Sequence, residues 1–438
     1  MPARSSGPPA EERVWPKVFA GFTGAWLGLS LVKFGNPVIL DQLVEPPRDF
    51  WEYVFSPWPV AWGYWMLAAL VIAGFAVGQF RLGAPRGLIV LPLIWFVWQV
   101  VATTQSVDPG LSRATLLHFA ACVICLYLGL FVLSRVQQMT WFWVMVLAGF
   151  LWVLWMGFGQ HFGGLESTRQ MVYQQPDLSR FSAEYLKRIA SNRIFSTLVY
   201  PNALAGAILL FLPVFLGVLS RMTAQLSNVP RGVLVGLLGY AGMACLYWSG
   251  SKSGWLIALV LGLIAVLHWP LDRKLKLALV TIAFLFGLAA FFIRFSTYFR
   301  HGATSVGARF DYWRAAWKIT KAHPIFGTGP GSFSIPYKQL KAPESEMTRL
   351  VHNNYLEQAS DSGVIGFLTF LALIIGLLTF LYRKSRREPA LFFVWLGLLG
   401  WALQGLVEFG LYIPALAWPA FLLFGWLLGL DLKSTRRN

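Results

Sequence analysis

Charge is what this sequence has least of. Only 13% of its 438 residues are Asp, Glu, Lys or Arg, against 57% hydrophobic ones, whereas soluble domains carry about 25% charged residues. That balance excludes a soluble enzyme, a nucleic-acid-binding module or a disordered tail as a description of the whole chain. Cysteine is almost missing: Cys122, Cys125 and Cys245 all sit inside apolar runs. The CxxC spacing of the first two, without polar neighbours, reads as packing rather than redox or metal chemistry. The long polar segments contain no DxD pair and no HExxH, so neither a metal nor any other cofactor is expected, and neutralising an anion falls to Arg and Lys. No cleavable signal is expected either, because a short polar stretch with Arg4, Arg13 and Lys17 leads into the first apolar run without a small-residue cleavage site.

What is abundant is apolar runs near the roughly 20 residues needed to cross a hydrocarbon core. They fall near 17–35, 59–80, 87–102, 114–134, 141–158, 198–219, 232–249, 253–268, 275–293, 363–382, 389–406 and 411–430. The expectation is an all-α polytopic membrane protein with about 12 transmembrane helices. With a cytoplasmic N-terminus, the short inside segments hold 18 of the 36 basic residues, as the positive-inside rule demands. The net charge of +17 then points to cytoplasmic loops and anionic lipid head groups, not nucleic acid. The organisation is residues 1–158 with helices 1–5, a first long outer segment at 159–197, helices 6–9 at 198–293, a long helical outer loop at 294–362, and helices 10–12 with the tail at 363–438. Both termini are cytoplasmic; in a bacterium the long segments are periplasmic.

Those two segments carry most of the polar chemistry, as long loops tend to. In 351–366, Asn353, Glu357 and Asp361 recur at i, i+4, i+8, one polar stripe of a helix turned away from lipid. His352 heads it, a residue able to take a proton near neutral pH. Upstream, Phe310, Trp313 and Trp317 share one helical face and Asp311, Arg314 and Lys318 another, the pattern of a helix lying in the membrane interface. Arg309 stands near its start, paired with Arg314. His323-Pro324-Ile325-Phe326-Gly327-Thr328-Gly329-Pro330-Gly331 lacks the ending of a phosphate loop and reads as a turn closing that helix. Arg193 lies just before Pro201-Asn202, a pair costly in lipid unless it lines a cavity, and Lys252 occupies a short turn of small residues. Three cations on one side of the membrane beside a histidine suggest an anion site, and arginine's planar donors suit a diphosphate.

The stretches 309–333 (R-F-D-Y-W-R-A-A-W-K-I-T-K-A-H-P-I-F-G-T-G-P-G-S-F) and 351–367 (V-H-N-N-Y-L-E-Q-A-S-D-S-G-V-I-G-F) closely resemble the Wzy_C domain of the O-antigen ligase and polymerase superfamily. N-R-I-F-S-T-L-V-Y-P-N-A-L-A-G (192–206) and G-L-V-E-F-G-L-Y-I-P-A-L-A-W (405–418) resemble its earlier and later signatures, so the likeness covers roughly 190–430. It implies a GT-C-like inner-membrane glycosyltransferase whose donor is an undecaprenyl-diphosphate-linked glycan, with a periplasmic active site. By this resemblance His352, Arg309 and Arg193 are catalytic, and Lys252, Arg314, Asn202, Asn353 and Glu357 are expected to contact substrate. Lys252 departs from the arginine often found in that turn. The acceptor decides the kind of enzyme: lipid A core for a ligase, the growing glycan for a polymerase, a protein for an O-oligosaccharyltransferase. The rival from another class is a lipid-linked glycan transporter, which needs ionisable residues in mid-span; Lys33, His118 and Glu408 are the candidates.

Overall fold

The computed structural model describes residues 14–78, 84–174, 186, 189–300, 304–343 and 345–431, and among these the chain is helical with no strand. Arg4, Arg13, Arg81, Lys433, Arg436 and Arg437 of the positive-inside argument lie outside the described residues. The helices are α1 (Val14–Lys33), α2 (Phe50–Phe55), α3 (Val60–Val77), α4 (Arg86–Thr103), α5 (Pro109–Phe131), α6 (Thr140–Gly159), α7 (Leu165–Tyr173) and α8 (Pro201–Met222). They continue as α9 (Asn228–Ser249), α10 (Lys252–His268), α11 (Arg273–Arg300), α12 (Thr304–Ala322), α13 (Ser334–Leu340), α14 (Asn354–Ser385), α15 (Pro389–Gln404) and α16 (Pro414–Gly429). Each of the twelve apolar runs falls on one of these. Among the described residues, eight helices are long and apolar enough to cross a membrane, and α10, α15 and α16 are shorter apolar helices. This is a multi-pass membrane protein.

The bundle packs by close backbone approach, as expected where lipid removes the hydrophobic drive between helices. α1 lies on α6 with Gly28 so close that a Cβ there would come within 2.5 Å of the Met145 carbonyl oxygen. α16, wholly buried between its neighbours, meets α5 in the same way at Gly425. α8 packs on α15, and α14 on α4.

The long loop adds two features to its sequence reading. On α12, Phe310 and Trp317 are exposed, as are Arg314 and Lys318 on the opposite expected face. The face turned inward is Tyr312, Ala315, Ala316 and Ile319, packed on Phe333, Tyr337 and Val351. Two alanines let this helix settle closely on the loop's own small core, which outweighs the aromatic stripe. Second, the helix expected to begin a span at 363 starts at Asn354 and runs 32 residues, broken at Ser362 and at Gly363 (φ 70°). Asn353 sets that start as N-cap, its side chain accepting from the N–H groups of Tyr355 and Leu356.

The glycine-rich turn after α12 docks on that break. Gly327, Gly329 and Gly331 all have positive φ, Thr328 N–H donates to the Ser360 carbonyl, Gly329 N–H to the Asp361 carbonyl, and Gly331 N–H to Asp361 Oδ2 at 2.7 Å. Val107 N–H donates to the Thr328 carbonyl, so the turn is also tied to the α4–α5 connection.

Candidate active site

Four segments remote in sequence meet at one end of the bundle. The first is the chain before α8. Arg193 donates through Nε to the Ser249 carbonyl at 2.7 Å, at the end of α9, and through Nη2 to Asn202 Oδ1 at 2.8 Å. Pro201 sits at the first turn of α8, where its missing N–H costs nothing, and the next residue, Asn202, reaches Arg193 and Glu408. Asn202, though not Pro201, lines a small recess together with Gln404, Glu408 and Phe409.

The second segment is the short turn between α9 and α10. Gly250 takes a left-handed conformation (φ 60°) directly beneath the Arg193 side chain. Two residues on, the Lys252 ammonium stands 3.9 Å from the Tyr298 ring centroid and within electrostatic range of Arg193, Arg309 and Arg294. Its charge is therefore held by an aromatic face from α11 rather than by a carboxylate.

The third is the long loop. Arg309, on α12, donates through Nε to the Val407 carbonyl at 3.1 Å and through Nη2 to Glu408 Oε1. His352 is the residue before the N-cap of α14 and has φ 56°, a left-handed conformation uncommon outside glycine and a mark of a backbone held by its surroundings. What holds it is visible on both sides. Val351 N–H donates to the buried Glu357 Oε2 at 2.6 Å, and Asn354 N–H donates to the Gly405 carbonyl at 2.7 Å. The imidazole lies between the rings of Tyr312 and Phe409, with centroids 5.8 Å and 4.7 Å away, and its side chain keeps 25% of its surface open.

The fourth is the turn after α15, and it holds the residue that joins the rest. Glu408 accepts from Asn202 Nδ2 at 2.6 Å and from Arg309 through Oε1, and contacts His352 Nδ1 through Oε2 at 3.1 Å. An ionised carboxylate only accepts, so Nδ1 carries the hydrogen and Nε2 is left as the basic nitrogen. Burial alone pushes the Glu408 carboxyl up, but Arg309 and His352 beside it bring it below its ordinary value. Burial also draws the Arg193 guanidinium down, against the pull of Glu408. Among the described residues one carboxylate, Glu408, thus pairs with Arg309 and acts on Arg193, with Lys252 close to both arginines, and the described cluster holds more positive than negative charge.

Of the residues singled out in the sequence, His352, Arg309, Arg193, Asn202 and Lys252 converge here. Asn353 and Glu357 do not reach the open face: the first caps α14 and the second is fully buried, fastening Val351. Arg314 points outward to Asp311 at 3.4 Å with 69% of its side chain exposed. The three mid-span candidates also resolve. Lys33 ends α1 and donates to the carbonyls of Tyr53, Val54 and Ser56. His118 lies within α5, its Nε2 against the Leu411 carbonyl. Glu408 lies in a turn between helices, at the site. Its signal was present in the sequence, as the single charged side chain between residues 389 and 430.

Below the cluster an apolar groove of about 240 Å³ opens between α8, α9, α10 and α15, with Ile208, Leu212, Met243, Ala258, Leu261 and Phe393 among its walls. Ile208 is six residues along α8 from Asn202, about 9 Å at the rise of a helix.

A helical membrane bundle with a cation-rich mouth around one imidazole is the class of protein these features define. Residues 233–371 match the Wzy_C family, described as O-antigen ligase. Lys252, Arg309 and His352 fall inside the matched stretch; Arg193, Asn202 and Glu408 fall outside it. The chain is also 31% identical over 151 residues to an uncharacterized protein of Haemophilus influenzae, a match covering 29% of this chain and 38% of the relative's length.

Proposed function

We propose that this protein is a GT-C-like, inverting glycosyltransferase of a bacterial inner membrane, working at the periplasmic face. It moves a glycan from undecaprenyl diphosphate to an acceptor hydroxyl, and the acceptor in the ligase reading is lipid A core. The observation that carries this is the juxtaposition of Arg193, Arg309 and Lys252 with, among the described residues, one carboxylate and an imidazole that keeps a quarter of its surface open. A surplus of partly buried cations favours an anion. Both guanidiniums are fixed from behind by carbonyls and keep further N–H groups for a diphosphate, an acceptor that can be clamped at two oxygens. The adjoining apolar groove gives the isoprenoid tail a place between helices.

His352 Nε2 takes the proton of the acceptor hydroxyl as its oxygen attacks the anomeric carbon in line. The bond to the diphosphate breaks with its electron pair on the leaving oxygen. The growing charge there is what Arg193 and Arg309 stabilise, worth about 3 to 4 kcal/mol for a well-placed donor in a water-excluded site. The twelve-span topology, with both termini cytoplasmic, puts the basic short turns inside and this mouth outside.

The test is the envelope glycan of cells carrying a chromosomal deletion. Uncapped core with accumulated lipid-linked polymer supports ligation. Single repeats on the core point to polymerisation of the growing glycan, and loss of a protein-bound glycan to protein O-glycosylation. An unchanged envelope glycan profile contradicts the proposal.

A further inference from the structure

We infer that Glu408 is the positioning residue that sets the tautomer of His352 and locks the base to the anion clamp, an inference resting on the reading of His352 as base and Arg193 and Arg309 as clamp. Three observations carry it. Its two oxygens divide the work: Oε2 faces His352 Nδ1 at 3.1 Å, while Oε1 accepts from Asn202 Nδ2 at 2.6 Å and from Arg309 Nη2. Asn202 passes the connection on, its Oδ1 accepting from Arg193 Nη2 at 2.8 Å. The carboxylate is itself held rigid, with only 5% of the residue exposed and its turn closed by Val407 and Glu408 N–H groups donating to the Gln404 carbonyl.

The chemistry follows from that division. When the acceptor hydroxyl gives its proton to Nε2, the imidazolium keeps its original hydrogen on Nδ1, and Glu408 stays ionised because Arg309 remains bonded to it. The carboxylate therefore orients and stabilises the imidazolium without taking a proton, the logic of a carboxylate behind a histidine base. Because Oε1 also holds Arg309 and Asn202, moving this one side chain misaligns the base and both guanidiniums together. The ionisable groups facing the pair are Arg309 and Tyr312 from α12, Arg193 before α8, and Lys252 at the start of α10, with Glu357 behind Val351. None of these supplies His352 with a second carboxylate contact.

The test compares purified wild type with Glu408→Gln and Glu408→Asp in detergent. Glu408→Gln keeps the shape but has a single accepting oxygen for His352, Arg309 and Asn202. Its kcat is expected to fall on the order of 100-fold, and the acid limb of its pH–rate profile to move to lower pH, because an imidazolium without a facing carboxylate holds its proton less tightly. Glu408→Asp keeps the charge and recovers the pH profile with only part of kcat. In parallel, carbethoxylation of His352, followed by mass spectrometry against pH, reads the imidazole without any turnover. Its profile is expected to shift in Glu408→Gln and to stay with wild type in Glu408→Asp. A kcat within about 3-fold of wild type with both pH profiles unmoved overturns the inference. If Glu408→Gln is not recovered folded, a wild-type kcat in Glu408→Asp, whose carboxylate is withdrawn by one methylene, overturns it equally. Wild type that transfers glycan to no acceptor removes the catalytic reading instead, while the carbethoxylation profiles still decide the role of Glu408.

Discussion

Gly363 packs so closely against Ile325 that a Cβ on the glycine would fall on the Ile325 carbonyl oxygen. This contact, with the Asp361–Gly331 hydrogen bond at 2.7 Å, bolts the glycine-rich turn to the break in α14, one helical stretch away from His352. Gly363 also has φ 70°, a conformation an L side chain occupies only with strain.

Gly363→Ala is therefore expected to lower the thermal unfolding midpoint in detergent and to expose the loop to protease, with a cost of about 1 to 3 kcal/mol from strain and displacement together. Gly236→Ala, on the lipid-facing α9 with nothing within 4 Å of the added Cβ, is expected to melt with wild type. Equal melting of both variants contradicts the latch.

Arg193→Lys separates charge from shape. The guanidinium spans from the Ser249 carbonyl to Asn202 Oδ1, which an ammonium with one nitrogen cannot do while also offering two parallel donors to a diphosphate. The expected outcome is a donor KM raised at least about 10-fold, or about 1.4 kcal/mol, with normal membrane insertion and melting. A wild-type KM argues that charge alone suffices.

The acid sensitivity of the site end follows from Glu408. Its carboxyl is lower in the folded protein than its ordinary value of 4.5, because Arg309 and His352 outweigh the effect of burial. A lowered acid contributes stability that is complete above the unfolded value and is lost as pH falls through the folded one. The melting midpoint of wild type is thus expected to drop more steeply than that of Glu408→Gln between about pH 5 and about pH 3. Parallel curves for the two proteins contradict the assignment.

How much of this was legible beforehand differs by kind of signal. Helix positions were, since long apolar runs bounded by charge admit few alternatives, and so were His352, Arg193, Asn202, Arg309 and Lys252, which are polar residues at helix ends on one side. The roles of Asn353 and Glu357 were not, because a polar stripe on a helix reads the same whether it faces a substrate or the backbone of its own loop. The inward face of α12 was hidden for a related reason: Ala315 and Ala316 look indifferent in sequence yet permit the closest approach. Glu408 was visible as a lone charge, but its meaning depends on Arg309, Asn202 and His352, up to 206 residues away, and only the fold brings them together.

The most direct measurement of the central claim is transfer in vitro: purified protein in detergent, a synthetic polyprenyl-diphosphate glycan, and a panel of lipid A core, glycan and peptide acceptors. The account predicts that wild type consumes the donor, releases polyprenyl diphosphate and forms the inverted glycosidic product on one acceptor class, and that His352→Ala and Arg309→Ala, equally well folded, form none. Full transfer by both variants, or a donor left intact by wild type with every acceptor, would contradict it.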